Sequence, residues 1–161
     1  MAGGPLFPYS NFPDTNGRIY PGAHIGGTNS RVDFGMKVEA SLGADSVLEL
    51  RFQMPPSIPS GTLKLDVVAL ANATSGNAVL NPAWAAVAGG ANPDTVTLTG
   101  EGNTTLTWAS GDNDDYKRTK ITLDASTAPA AGEVVVMEIT FVSASWTLAQ
   151  VSTWNFSLIW E

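Results

Sequence analysis

Apolar and polar residues alternate in short runs from residue 31 to the end of the chain. In residues 32–39, for example, large apolar side chains occupy every second position. Successive side chains of a β-strand point to opposite faces, so this period of two predicts a strand with one buried face. Runs of this kind predict strands over 32–39, 48–54, 62–70, 84–87, 95–99, 103–108, 116–123, 134–142 and 154–160.

Glycine, proline and asparagine separate these runs, and no segment has a convincing helical pattern. Gly100-Glu101-Gly102 predicts a hairpin turn between two Thr-rich strands, residues 72–81 are expected to form a loop, and residues 146–150 a helical turn. Eight or nine strands spaced about ten residues apart are typical of a β-sandwich or barrel. The mixture of tight and long connections favours an all-β, jelly-roll-like fold of about eight strands.

The first thirty residues have a different character. They contain four prolines, six glycines and several aromatic side chains, with Asp14 and Arg18 as the only charges. Proline and glycine disfavour both helices and central strands, while disordered tails are usually poor in aromatics. We therefore predict an extended N-terminal arm at residues 1–30, lying on its own body or on a neighbour, and a sandwich body at residues 31–161.

Composition and charge exclude several functions. Apolar residues make up 43% of the chain, enough for a core, while charged residues at 14% are fewer than usual. The net charge of −7 and the scattered basic residues argue against a nucleic-acid partner and an anionic membrane surface. The chain has no cysteine, no signal-peptide pattern and no apolar run long enough to span a bilayer.

Catalytic chemistry finds little support in the sequence. The single histidine, His24, lies in the Pro/Gly-rich arm, where it could not be held rigidly beside a nucleophile. Four carboxylates, Glu49, Asp66, Glu133 and Glu138, could in principle form the pair that glycoside hydrolysis needs. They fall on the outward phase of predicted strands, which is typical of plain surface. We expect no catalytic residue, no cofactor and no enzymatic activity.

The acidic run at residues 112–115 is the densest group of carboxylates. Asp112, Asp114 and Asp115 are weak candidates for calcium, which prefers oxygen ligands from such loops. The spacing does not fit an EF-hand, since no glycine stands at its sixth position and Leu123 stands at its twelfth. The simpler interpretation is a solvated loop whose Asp and Asn side chains cap turns.

Five tryptophans raise the possibility of sugar binding. Trp154 and Trp160 share a phase with apolar neighbours and are expected in the core. Trp84, Trp108 and Trp146 remain candidates for exposed aromatic platforms on which a sugar ring could stack. Large aromatics are also typical of protein interfaces, so the same three residues would suit a subunit contact.

An acidic, cysteine-free and helix-poor domain behind an apolar arm resembles the decoration, or cement, proteins of tailed-phage capsids. The arm from Leu6-Phe7-Pro8-Tyr9 to Tyr20-Pro21-Gly22 and the strands from Val32 to Trp160 carry this resemblance. It implies a jelly roll that forms a homotrimer on the capsid surface of a virion, with the major capsid protein as partner. The arm would reach across neighbouring coat subunits.

The leading hypothesis from the sequence is therefore a structural virion protein that stabilises the coat. Its expected docking residues are Leu6, Phe7, Tyr9, Phe12, Ile19 and Tyr20. The alternative is a carbohydrate-binding β-sandwich module, such as a fibre or receptor-binding knob, that uses Trp84, Trp108 or Trp146 beside the acidic loop.

Overall fold

Two antiparallel β-sheets pack face to face in the computed structural model of the chain. The structure describes residues 19–25, 32–39, 45–71, 75–109, 112, 115–145, 147–148 and 150–161, with the backbone alone for 19–25, 32–39, 143 and 150–153. The strands are β1 (Ile19–Ile25), β2 (Val32–Glu39), β3 (Ser46–Gln53), β4 (Leu63–Leu70), β5 (Gly76–Val87), β6 (Thr99–Gly100), β7 (Thr104–Trp108), β8 (Tyr116–Thr122), β9 (Val134–Phe141) and β10 (Gln150–Trp160).

The strand order is that of a jelly roll. Sheet A runs β1-β2-β10-β4-β8, and sheet B runs β3-β9-β5 with β6 and β7 both beside β5. When β1 and the two-residue β6 are set aside, two four-stranded sheets remain whose neighbours come from distant parts of the chain. This arrangement confirms the predicted all-β, jelly-roll-like sandwich.

The core lies between the two sheets and uses the apolar phase of each strand. Side chains of β4, β9 and β10 at alternating positions are buried, as the period-two pattern predicts. The buried set from these three strands includes Leu65, Val67, Val135, Met137, Ile139, Phe141, Trp154, Phe156 and Leu158. The Trp154 ring meets Phe141 edge-on, with centroids 5.1 Å apart, and stacks on Phe156 at 5.9 Å.

Part of the N-terminal arm belongs to the sandwich. β1 forms the outer edge of sheet A and pairs with β2 from Ile19↔Val38 to Ile25↔Val32. Pro21 lies within β1 and has no N–H to donate. An edge strand tolerates this because only one of its two sides pairs with a neighbouring strand. Residues 19–25 thus lie on their own body, while residues 1–18 fall outside the described ranges and their arm remains a prediction.

The region around β5 differs from the sequence-based expectation. Residues 76–81 belong to the twelve-residue β5, so the predicted loop at 72–81 is wrong for this part. The predicted hairpin is also wrong, because β6 and β7 do not pair with each other but lie end to end along β5. Local turn chemistry suggested the hairpin, whereas the long β5 offers both segments an apolar strand to pair with.

Helical structure is confined to short segments in the described residues. Two 3-10 turns occur, at Pro93–Thr95 and Ser143–Ser145. The predicted helical turn at 146–150 does not extend to its last residue, since Gln150 begins β10; Trp146 and Ala149 fall outside the described residues. Among the described parts of the chain, no helix has the length and apolar character needed to cross a membrane.

Candidate functional site

The outer face of sheet A presents rows of polar side chains from three adjacent strands. In β4, the odd-numbered positions from Leu63 to Ala69 are buried in the core, so the even-numbered positions face outward. Pairing with β8 and β10 aligns each outward position with one neighbour on either side. The three rows are Asn155–Val68–Arg118, Ser157–Asp66–Lys120 and Ile159–Lys64–Thr122.

An ion pair between Asp66 and Arg118 lies at the centre of this face. Arg118 donates from Nε to Oδ1 of Asp66 at 2.7 Å and from Nη2 to Oδ2 at 2.6 Å. Such a two-point pair fixes the planes of both groups and is among the stronger protein hydrogen-bond arrangements. The bonds to Asp66 also raise the pKa of Arg118, which stays charged.

The burial of Asp66 corrects the expectation that this carboxylate is plain surface. Its side chain is only 9% exposed, while the Arg118 side chain is 59% exposed. Asp66 sits on a central part of β4 between β8 and β10, and Arg118 reaches diagonally from β8 to cover it. The guanidinium is therefore held along its Nε–Nη2 edge, and its remaining N–H groups have no part in the bonds to Asp66.

A second charged group closes one end of the face. The carboxylate of Glu161 accepts hydrogen bonds from Lys64 at 3.0 Å and from Lys120. These bonds, with Lys120 the larger contributor, hold the pKa of Glu161 below its ordinary value. The backbone of Glu161 is itself fixed by two hydrogen bonds with Thr62. The end of β10 is thus tied to both β4 and β8.

Tyr116 lies at the opposite end of the same face. It is 55% exposed and occupies the same phase of β8 as Arg118, two residues away. Among the described side chains, Val47 and Tyr116 are the large apolar residues that stand exposed, and Val47 is on the other sheet. Tyrosine combines an apolar ring with a polar tip and is enriched at contact surfaces.

Together these groups suit a ligand with many hydroxyls. The planar guanidinium of Arg118 can donate two hydrogen bonds to adjacent hydroxyl groups, and the amide of Asn155 can donate one and accept one. Val68 is a half-buried apolar residue between them, and the exposed Tyr116 lies nearby on the same face. The five charged side chains described on the β4, β8 and β10 part of this face and at its end, three cations and two carboxylates, carry a net charge of +1 on a chain of −7.

The structure corrects the predicted aromatic platforms. Trp84 and Trp108 are 0% and 1% exposed and belong to the core, so neither offers a ring face to a sugar. Their indole N–H groups are held inside the protein: Trp84 Nε1 donates to Glu101 at 2.6 Å, and Trp108 Nε1 to the Asp115 carbonyl at 3.2 Å. Trp146 lies outside the described residues.

Asp112 acts as a turn cap in the acidic loop. Its Oδ2 accepts a hydrogen bond from the Ala109 amide at 2.6 Å and contacts Lys117 Nζ at 2.7 Å. These two partners, Lys117 first, lower the pKa of Asp112. Asp115 is exposed and Asp114 lies outside the described residues. Across the described ranges, no group of three or more His, Cys, Asp or Glu side chains is placed to hold a metal ion.

The other carboxylates considered for hydrolysis are dispersed. Glu49 and Glu138 face each other across β3 and β9 on the outer side of sheet B, where Arg51 pairs with Glu49 at 2.7 Å. Glu133 accepts from the Ala130 amide at 2.7 Å within a turn. Asp66 is on the other sheet, so these four residues do not form one site.

The predicted docking residues divide into two groups. Leu6, Phe7, Tyr9 and Phe12 lie outside the described residues. Ile19 and Tyr20 are in β1, where their backbones pair with Val38 and Lys37 of β2. Docking through these six residues remains a prediction. His24, in the same strand, pairs with Asp33 through the backbone register.

Sequence reasoning missed the residues that form the candidate face. The available signal was the alternation in residues 116–120, where Tyr116, Arg118 and Lys120 share one phase of a predicted strand. What the sequence could not show is which strands lie next to β8. Asn155 and Ser157 join the face only because β10 pairs with β4, almost ninety residues away in the chain.

Comparison with known proteins gives no family assignment, since no family model and no curated protein matches the chain. Among solved structures, it is similar to TmCBM61 in complex with β-1,4-galactotriose, with 10% identity over 89% of this chain and 88% of that one, at a TM-score of 0.38. It is also similar to a family 11 carbohydrate-binding module from Clostridium thermocellum in complex with a β-1,3-1,4-mixed-linked tetrasaccharide, with 13% identity over 88% and 82%, at a TM-score of 0.44.

Proposed function

We propose that this chain is a carbohydrate-binding β-sandwich module that holds a saccharide on the outer face of sheet A. The observation that carries the proposal is the exposed Tyr116 beside the Asp66–Arg118 pair on the outer face of sheet A. This proposal keeps the binding mode that the sequence suggested but moves it from Trp84 and Trp108 to a different set of residues.

The chemistry of a sugar matches this arrangement. A pyranose has an apolar C–H face, which can lie on an aromatic ring, and hydroxyls around its edge, which can bridge planar polar groups. Strands of a sheet lie about 4.8 Å apart, and same-face residues along a strand about 6.8 Å apart. An extended saccharide can therefore reach Tyr116, Arg118 and Asn155 together without any change in the backbone.

Binding without catalysis is part of the proposal. A glycosidase needs two carboxyl groups on either side of one bond, about 5–9.5 Å apart. Among the described side chains on the outer face of sheet A, the carboxylates of Asp66 and Glu161 are instead engaged by Arg118 and by Lys64 and Lys120. These groups position a ligand, and they leave its glycosidic bonds intact.

A glycan array followed by titration calorimetry tests the proposal. We expect the intact chain to bind at least one class of oligosaccharide, and Tyr116→Ala or Arg118→Ala to weaken that binding by more than about tenfold. Val47→Ala is the matched control, because Val47 is the other exposed large apolar side chain and lies on sheet B. Absence of glycan binding, or equal loss in the control, would refute the proposal.

Capsid decoration is the second candidate function. One observation favours it: β1 is the outermost strand of sheet A, so the apolar residues 1–18 join the body at an edge rather than in its centre. In this proposal those residues dock on a major capsid protein at the virion surface, and the body forms the homotrimer.

Deletion of residues 1–18 separates the two functions, because it keeps β1 and its pairing with β2. If the arm docks on a coat, the deletion should abolish binding to capsid shells and leave glycan binding unchanged. If the face of sheet A is the binding site, Tyr116→Ala should give the opposite pattern. If neither the deletion nor Tyr116→Ala reduces binding to capsid shells or to glycans, both proposals are wrong.

A further inference from the structure

β3 forms an edge of sheet B that the described residues leave uncovered. Its eight residues pair with β9 in one unbroken register, from Ser46↔Phe141 to Gln53↔Val134. In the described part of the chain, no strand pairs with its other side. The strand has no proline and no bulge, two of the features that protect an edge from further pairing, and its charges are one Glu and one Arg.

The backbone groups on the open side can be identified by parity. Just beyond β3, the Met54 amide donates to the Glu133 carbonyl at 2.8 Å, so even-numbered positions direct their hydrogen-bonding groups toward β9. Alternate residues of a strand point these groups to opposite sides. The N–H and C=O groups of Val47, Glu49, Arg51 and Gln53 therefore face the open edge.

We propose that β3 is a self-association surface, on which a second copy of the chain adds its own β3 in antiparallel orientation about a two-fold axis at Leu50. In this register Glu49 lies opposite Arg51 of the second copy, and Arg51 opposite Glu49 of the second copy. Val47 and Gln53 form the outer pairs. Each of these facing pairs exchanges two backbone hydrogen bonds, because both members direct their groups to the same edge.

The side chains select this register. A shift of one residue would set outward-directed backbone groups against inward-directed ones, so the ladder could not form. A shift of two residues places either Glu49 opposite Glu49 or Arg51 opposite Arg51 at the axis, and like charges directly opposite are destabilising. The sequence Glu49-Leu50-Arg51 is thus complementary to itself in one alignment.

β8, an edge strand of sheet A, is built in a way that disfavours the same contact. It carries Lys117, Arg118 and Lys120 within seven residues and no acidic residue. A second β8 alongside it would bring these cations together, which is a common protection of sheet edges. The contrast with the charge-balanced β3 points to sheet B as the side where two copies join.

Sedimentation velocity across a concentration series tests the proposal. Glu49→Arg and Arg51→Glu each place like charges opposite each other, so each variant alone should self-associate more weakly by more than about tenfold. An equimolar mixture of the two restores both opposite-charge pairs and should form mixed dimers. The double swap Glu49→Arg/Arg51→Glu should dimerise as the intact chain does.

Circular dichroism and hydrogen exchange complete the test. Circular dichroism must show each single variant folded, and the mixture provides a positive result that an unfolded variant could not give. Hydrogen exchange should show concentration-dependent protection of the Glu49 and Arg51 amides, with Leu48 and Leu50 unchanged. A monomer at all concentrations, a mixture that stays monomeric, or self-association that disappears on deletion of residues 1–18 would overturn the proposal.

Discussion

The indole N–H of Trp84 donates a 2.6 Å hydrogen bond to Oε1 of Glu101, seventeen residues later in the chain. The same Glu101 carboxylate accepts from the Ala125 amide at 3.0 Å, in the segment that follows β8. One half-buried carboxylate, in the segment between β6 and β7, thus joins the core tryptophan of β5 to the segment that follows β8. This bond explains how a large polar-tipped side chain can sit at the centre of the sandwich.

Replacement of Glu101 by alanine should destabilise the protein by about 1–3 kcal/mol, because it leaves the buried indole N–H without an acceptor. Trp84→Phe should cost about 1–3 kcal/mol through lost volume and the lost bond. The two changes should not be additive, since they share one interaction. Urea unfolding of Glu101→Ala, of Trp84→Phe and of the variant with both changes measures these effects. The exposed Glu138→Ala is the control, expected within about 0.5 kcal/mol.

Gly61 should be intolerant of a side chain. Its φ is +121°, and a Cβ there would come within 2.9 Å of the Glu161 backbone. Gly61→Ala is expected to lower the free energy of unfolding by about 1–3 kcal/mol, through backbone strain and displacement of the Thr62–Glu161 pairing. Gly89→Ala serves as the control, because nothing lies within 4 Å of that position. Equal stability of the two variants would contradict the described packing.

Acid should destabilise the protein in part through Glu161 and Asp112. Lysine partners lower the pKa of both carboxyls in the folded state. Their contribution is therefore present at neutral pH and is lost as the pH falls below about 4 and through the folded-state pKa values. Thermal melts from pH 7 to pH 2.5 should show a shallower fall for Glu161→Gln than for the intact chain. An equal fall of the melting temperature with pH in Glu161→Gln and in the intact chain would contradict this prediction.

The Asp66–Arg118 pair should behave as a coupled unit. Arg118→Met removes the partner of a nearly buried carboxylate and should lower the melting temperature. Replacing both residues, as Asp66→Val with Arg118→Met, should recover much of that loss, because no buried charge remains. Arg118→Lys should not substitute fully, since an ammonium cannot make the two-point contact. Differential scanning calorimetry distinguishes these outcomes.

Alternation along the chain was sufficient to predict the main body of the fold. It identified the core phases of β4, β9 and β10, since each of these strands keeps one continuous apolar face. It failed at β5, where Asn, Ser and Gly in residues 72–81 resemble a loop although six of these ten residues lie in β5. Burial on both sides of a central strand removes the polar phase on which the pattern depends.

The candidate face was not predictable from the sequence to the same degree. The aromatic residues that suggested sugar binding, Trp84 and Trp108, fill the core instead, because hydrogen bonds inside the protein satisfy their polar tips. Asp66 looked like surface because its phase is outward, yet Arg118 covers it from a strand fifty-two residues away. Such assignments depend on which strands are neighbours, and a single sequence does not contain that information.

The order of strands in sheet A places β1 and β8 at opposite edges. β1 and β8 are its first and last strands, so four inter-strand steps of about 4.8 Å, or about 19 Å in all, lie between them. A tether leaving the body ahead of Ile19 would emerge well clear of the ring of Tyr116. One molecule would then have room to stay attached through its β1 edge while it binds a second partner at its β8 edge.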